Sequence, residues 1–380
     1  MLDCQKHLFS LPSDSHYLNC ASRAPLLKSA EAAGIEGIIK SREPIPKPPS
    51  AYFEDGELLR HAIGELINAH ADRIALIPAV SFAMAIARQN VVLGRGDRLV
   101  TVEEEFPSNV YPWLNIEEAF GALRTVVPRP APDAPAGAWT ERVLEAIDSK
   151  TRLVVLSHVQ WTDGASFDLG AIATRAREVG AYSVFDGTQS IGAMGFNFTD
   201  VQPDLLVVAA YKWLLGPYQI GFAAFGERLL EGRPLEDHWS NRAGAQDTSS
   251  TDYRPEFRRG ARKFDVGEHA NPITVPMFLA GVRQLVRWGP ESIATYNERL
   301  VTRLEDGISD QSILLPPRSD RAPHIIGLRF NSQSKLNTAL DAMQRRRIRV
   351  SKRGDALRVS PNVYNDIHDI DALLHALPGH

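Results

Sequence analysis

The feature that most restricts this chain is a series of short segments, apolar at nearly every position, separated by stretches of helical periodicity. Such segments lie at 73–79, 98–102, 152–159, 182–186, 205–210 and 220–225. A strand that is apolar on both faces has to be covered on both, which requires helices above and below the sheet. Helical patterns at 81–92 and 169–179 supply such cover. The spacing predicts an α/β fold built on a large, doubly wound, mostly parallel sheet. In open sheets of this kind the ligand sits beyond the carboxyl ends of the strands.

The C-terminal part has a different rhythm. Helical patterns at 276–288 and 291–304 precede a strand at 324–330, a helix at 336–346, strands at 348–351 and 356–360, and a closing helix at 367–377. This predicts a smaller α+β domain. The expected division is an N-terminal arm over 1–30, a large domain over 31–275 and a small domain over 276–380, since 380 residues suit more than one core. Pro-rich segments at 44–49 and 128–135 read as surface connections, the second leading into a helix at 140–147.

Composition excludes more than it selects. Charged residues make up 23% and the net charge is −4, so no electrostatic pull toward nucleic acid or an anionic membrane is expected. No apolar run approaches the roughly 18 residues that mark a membrane span. The opening residues do not read as a secretion signal. The two cysteines, Cys4 and Cys20, make no disulfide framework, and no CxxC or HExxH metal spacing occurs. The expectation is a cytoplasmic protein without a metal. Neither GxGxxG after the first strand nor GxxxxGK[ST] is present, which argues against a nucleotide-binding fold.

Two charges stand where charge is expensive. Asp186 closes an apolar strand in Tyr182-Ser-Val-Phe-Asp186. A carboxylate at that place suits the ring nitrogen of pyridoxal 5′-phosphate (PLP), because it keeps the nitrogen protonated. It equally suits a helix cap or a metal ligand. Lys212 follows the apolar run Leu205-Leu-Val-Val-Ala-Ala. A lysine there is used covalently, as in an imine to an aldehyde, or snorkels to solvent. The two together, followed by Gly216-Pro217, favour the PLP reading.

The segment 157–222 resembles the class V aminotransferase group of fold-type I PLP enzymes. That group includes cysteine desulfurases, selenocysteine lyases, isopenicillin-N-epimerase-like proteins and kynureninases. The likeness extends from Tyr17-Leu-Asn-Cys-Ala-Ser-Arg-Ala-Pro25 to Leu357-Arg358-Val-Ser-Pro-Asn-Val-Tyr364-Asn365. It implies Lys212 as the Schiff-base lysine and Asp186 as the partner of the pyridinium nitrogen. It implies Gln189 at the cofactor's phenolic oxygen, Phe106 stacked on the ring, and Val80, Ser81 and Tyr211 at the phosphate. Arg358 matches the arginine that clamps a substrate α-carboxylate, and Asn271 lies in a segment expected to reach a second subunit. The partners implied are an amino-acid substrate and a second copy of the chain in a homodimer.

The departures from the group also carry information. Val80 stands where the group has a polar residue, so only its backbone N–H can serve the phosphate. Kynureninases carry a histidine at Gln189 and an aspartate at Asn109. Trp161 replaces an asparagine near the ring and implies a changed substrate pocket. Trp239, Arg242 and His269 are further candidates for shaping that pocket. The loop 350–355 holds no cysteine, so thiol-dependent cysteine desulfuration is expected to be excluded. The implied reaction runs through an external aldimine and a quinonoid to transamination or β-elimination. A kynureninase-like hydrolase or an epimerase is the alternative, and a PLP-binding protein without turnover is a third.

Overall fold

The structure is a computed structural model that describes residues 2–42, 51–131, 134–247 and 249–378. The Pro-rich segment 44–49 lies outside the described residues, as do 132 and 133 of the second one. In chain order the strands are β1 His16–Tyr17, β2 Ile74–Ile77, β3 Arg98–Val102, β4 Leu123–Val127, β5 Thr151–Ser157, β6 Tyr182–Asp186, β7 Leu205–Ala209, β8 Gly221–Phe225, β9 Ile313–Leu314, β10 Ile326–Phe330, β11 Ile348–Arg349, β12 Ser351–Arg353 and β13 Ala356–Val359.

Seven of them form the large sheet, in the order β2-β8-β7-β6-β5-β3-β4. All six predicted apolar runs are strands of it. Strand β8 runs antiparallel to both of its neighbours, so the sheet is mixed. An apolar run shows that a strand is buried but not which way it points. The seventh strand, β4, escapes the sequence reading because it is an edge strand with only Val127 buried. Successive side chains alternate across the sheet. Val154 and Leu156 of β5 enter one core, while Leu153 and Val155 enter the other.

The second sheet is antiparallel, in the order β12-β13-β10-β9. The predicted strand 348–351 divides here. Ile348–Arg349 leaves that sheet and pairs in parallel with His16–Tyr17, stitching the N-terminal segment to the C-terminal part. The helix Thr274–Trp288 buries Val275, Phe278, Val282 and Leu285 and packs on helices Lys28–Lys40 and Ala51–Ile67, beside the large sheet. The next helix, Pro290–Gly307, packs instead on Ile367–Leu374. Between them Gly289 takes a φ of +78°, a conformation that suits glycine.

The loop 160–164 joins the two sheets. Gly164 has a φ of +89°, and a Cβ there would come within 2.3 Å of the Ile325 carbonyl oxygen. Among the described residues no helix is long and apolar enough to cross a membrane.

Candidate active site

Strands β2, β5, β6 and β7 run parallel within the large sheet, so their carboxyl ends open on one side. A cavity of about 300 Å³ lies there, lined by Asp186, Gln189, Tyr211 and Lys212 from the segments after β6 and β7. Val80 and Ser81 line it from the helix after β2, and Phe106 and Trp161 from the loops after β3 and β5. Eight residues from five separate stretches of sequence are thus brought together.

Asp186 is buried, and both of its oxygens are engaged. The Thr188 backbone N–H donates to Oδ1 at 2.8 Å, and the Asn109 amide donates to Oδ2 at 3.1 Å. The same amide lies 3.0 Å from Glu105 Oε1. Glu105 also takes the Phe106 N–H at 2.6 Å, the Ser157 N–H at 2.7 Å and the Ser157 hydroxyl at 2.5 Å. A buried chain of hydrogen bonds therefore fixes the Asp186 carboxylate from behind. Burial pushes the Glu105 carboxyl up, against the pull of its bonds to Ser157, Phe106 and Asn109. Sequence reasoning missed Glu105 and Ser157. In Glu103-Glu104-Glu105 only the third acid is buried, and composition cannot pick it out. Glu104, with a φ of +55°, is where the chain turns inward.

Lys212 sits three residues beyond β7 and is 6% exposed. Its Nζ lies 5.3 Å from the centre of the Phe106 ring and 5.6 Å from that of Tyr211. Burial pulls its ammonium down to about 8; Asp186 opposes the shift, and Arg358 and Arg353 add to it. The neutral amine, which is the nucleophile and the base, is thereby brought close to physiological pH.

The helix Val80–Asn90 begins at the cavity with no side chain capping it. Its leading N–H groups and positive end suit a phosphate. Gln189 donates to the Ala21 carbonyl at 3.0 Å and accepts from the Trp213 indole at 2.9 Å. One of its two amide hydrogens is left for a ligand. Tyr211 stacks on Tyr218 with ring centres 4.2 Å apart, and burial raises its hydroxyl.

On the side of the second sheet, Trp161 meets Phe106 edge-on at 5.8 Å, and its indole N–H donates to the Glu104 carbonyl at 2.8 Å. Arg358 on β13 is 1% exposed. It donates to the Trp161 carbonyl at 2.6 Å and to the Ser22 hydroxyl at 2.7 Å, and its Nε has no partner. Burial, with Arg353 adding to it, pulls its guanidinium down to about 9.

Four candidates lie elsewhere. Asn271 is exposed and caps the following helix, accepting from the Ile273 and Thr274 N–H groups at 2.9 Å each. It does not line the Lys212 cavity. Trp239 and His269 pack with Tyr52 and Phe53, and Arg242 pairs with Asp237, so none of these three lines the Lys212 cavity. Among the described residues no cluster suited to a metal is present.

The family model described as Aminotransferase class-V matches residues 52–373. This chain belongs to the class-V aminotransferase family. A probable cysteine desulfurase of Methanothermobacter thermautotrophicus is 31% identical over 165 residues, 43% of this chain and 40% of that relative's length. The isopenicillin N epimerase of Streptomyces clavuligerus is 24% identical over 388 residues, 95% of this chain and 93% of its own. The fold is that of the cystine C-S lyase C-DES, solved with its product cysteine persulfide. The TM-score is 0.86 at 20% identity, over 96% of this chain and 97% of the other. The architecture is fold-type I, and PLP is the cofactor of this class-V family. The residues present fit it: a buried amine, a fixed carboxylate, an uncapped helix start and a flat aromatic wall share one cavity.

One expectation is overturned. The cysteine-free loop 350–355 does not exclude cysteine desulfurase chemistry, because relatives of this chain carry that name. The physical reason is plain. A loop thiolate serves the route in which it attacks the substrate sulfur; an elimination that expels sulfur with the carbon–sulfur electron pair needs no protein thiol.

Proposed function

We propose that this chain cleaves the Cβ–S bond of a cysteine-class α-amino acid and releases its sulfur. The observation that carries the reading is Arg358, a buried guanidinium beside the Lys212 cavity with no carboxylate within ion-pair distance among the described residues. A buried cation without an acid is costly, and a substrate α-carboxylate supplies the missing partner with two parallel hydrogen bonds. The names of the desulfurase relatives, and that of the C-DES lyase, favour sulfur as the leaving group.

In this reading Lys212 would hold PLP through its amine, Asp186 would serve the ring nitrogen and Gln189 the phenolic oxygen, Phe106 would cover the ring, and Val80, Ser81 and Tyr211 would take the phosphate. When bound, PLP supplies the electron sink that makes an α-proton acidic. The Asp186 carboxylate, held by Thr188 and Asn109, keeps the ring nitrogen protonated. Arg358 fixes the α-carboxylate so that the Cα proton faces Lys212. Displaced from the cofactor by the substrate's amine, Lys212 would take that proton as a neutral base; the Cα–H electron pair would form the Cα=Cβ bond, and sulfur would leave as a thiolate with the Cβ–S pair and be protonated. Trp161 and Phe106 wall off water from the reacting carbons.

The same proposal covers the assembly. It takes the division expected from the sequence, an arm over 1–30, a large domain over 31–275 and a small domain over 276–380. A homodimer would bring Asn271 to the neighbouring copy's cavity.

The test is to incubate the PLP-loaded enzyme with L-cysteine and L-cystine and to assay sulfide, persulfide, alanine and pyruvate, with chiral analysis of recovered amino acid. Sulfur release is expected. Amino-group transfer or inversion at Cα without sulfur release overturns the reading.

A further inference from the structure

Beside Arg358 lies a second cation for which the proposed reaction has no use. Arg353, at the end of β12, lays its guanidinium against the Trp161 indole, 5.3 Å from the ring centre. It donates to the Ser22 hydroxyl at 3.2 Å, the same oxygen that Arg358 meets at 2.7 Å. Its other amino group donates to the Lys352 carbonyl at 2.8 Å, and its Nε is buried without a partner. Among the described residues no carboxylate lies within ion-pair distance of either guanidinium. The acids on adjoining segments are committed elsewhere: Asp355 to Arg329, and Asp163 to Arg129 and Arg329.

Arg358 is buried and Arg353 partly so. Arg60 and Arg321, buried like Arg358, each have a carboxylate at 2.6 Å. Only one neutral hydroxyl stands between Arg353 and Arg358. Two guanidiniums so placed repel each other in a medium that screens poorly. One α-carboxylate on Arg358 satisfies half of the pair.

We propose that Arg353 binds a second anionic group, carried on the substrate's side chain, and so selects amino acids bearing two acid groups over those bearing one. The chemistry required is a distal carboxylate or a sulfur oxyanion, reached along the flat face of Trp161. L-Cystine offers the first and L-cysteine sulfinate the second. The choice of leaving group rests on the function proposed above; the two-anion selectivity does not.

The test compares the PLP-loaded enzyme with its Arg353→Gln and Arg353→Lys variants. Turnover is measured on L-cystine and L-cysteine sulfinate against L-cysteine, and thermal protection by succinate against propionate. Arg353→Gln is expected to lower kcat/KM about 10–100-fold on the two-acid substrates, the worth of a charge-assisted hydrogen bond. L-Cysteine should change less than about twofold by the same reasoning. Arg353→Lys should restore part of the loss. The relative loss on cystine and on the sulfinate separates the two anion types. Succinate should protect the wild type better than propionate does, and Arg353→Gln should erase that difference. Equal losses on one-acid and two-acid substrates, or equal protection by succinate and propionate in the wild type, overturn the proposal. If no sulfur compound turns over, the functional reading fails while the succinate comparison still decides the role of Arg353.

Discussion

The two walls of the cavity are built on opposite plans. On the large-sheet wall both carboxylates are answered: Asp186 by Thr188 and Asn109, Glu105 by Ser157, Phe106 and Asn109. On the small-sheet wall Arg358 and Arg353 converge on one serine hydroxyl and meet no acid. A satisfied network holds its shape whether or not anything is bound, and that suits a cofactor that stays through many turnovers. An unsatisfied pair of cations stores repulsion that an arriving anion relieves, and that suits a substrate that comes and goes.

The contrast breaks most visibly at Lys212, which serves both walls. Lys212→Ala should lower turnover by about 10²–10⁴-fold through loss of the base alone, and borohydride should no longer fix PLP to the chain. Mass spectrometry of the reduced protein checks the second outcome, and an adduct on another lysine would displace Lys212 from its role.

Arg358→Leu should separate function from stability. A fall in kcat/KM of about 10²-fold is expected for an α-amino acid, with a thermal midpoint that holds or rises because an unpaired buried charge is gone. A large drop in midpoint would show that Arg358 is a structural residue.

Glu105→Gln should do the reverse. Its new amide hydrogens face the Ser157 donors, so stability should fall by about 1–3 kcal/mol while substrate KM stays unchanged. Chemical unfolding and steady-state kinetics on one preparation decide this; a raised KM with intact stability would erase the distinction between the walls.

The smallest effect concerns pH. In the cofactor-free protein Lys212 titrates at about 8, against 10.5 for an ordinary lysine. Between those values the unfolded chain binds the extra proton, so stability should rise with pH across that window through this group. Below about 8 both states are protonated and the contribution is flat. Lys212→Met should remove the rise, as urea midpoints at stepped pH would show.

How much of this was legible follows from where charge and apolarity coincide. Asp186 and Lys212 stand out because one closes and the other follows an apolar strand run, whereas Arg358 is legible only through the resemblance of 357–365 to the class V group. Glu105 and Arg353 stay hidden because each sits beside like charges, Glu104 and Lys352, and only the fold turns one of each pair inward. The large sheet could be read from its apolar runs. The reversed direction of β8 could not, since direction leaves no trace in hydrophobicity.

The loop 160–164 has a mechanical consequence. Asp163 takes Arg129 from the large-sheet side at 2.7 Å and Arg329 from the small sheet at 3.2 Å. Any rocking of one sheet away from the other must first tear these rivets. The stiff edge of the molecule is therefore at Trp161, and a molecule diffusing in should pass the opposite lip, where Tyr218 is half exposed and stacked on Tyr211.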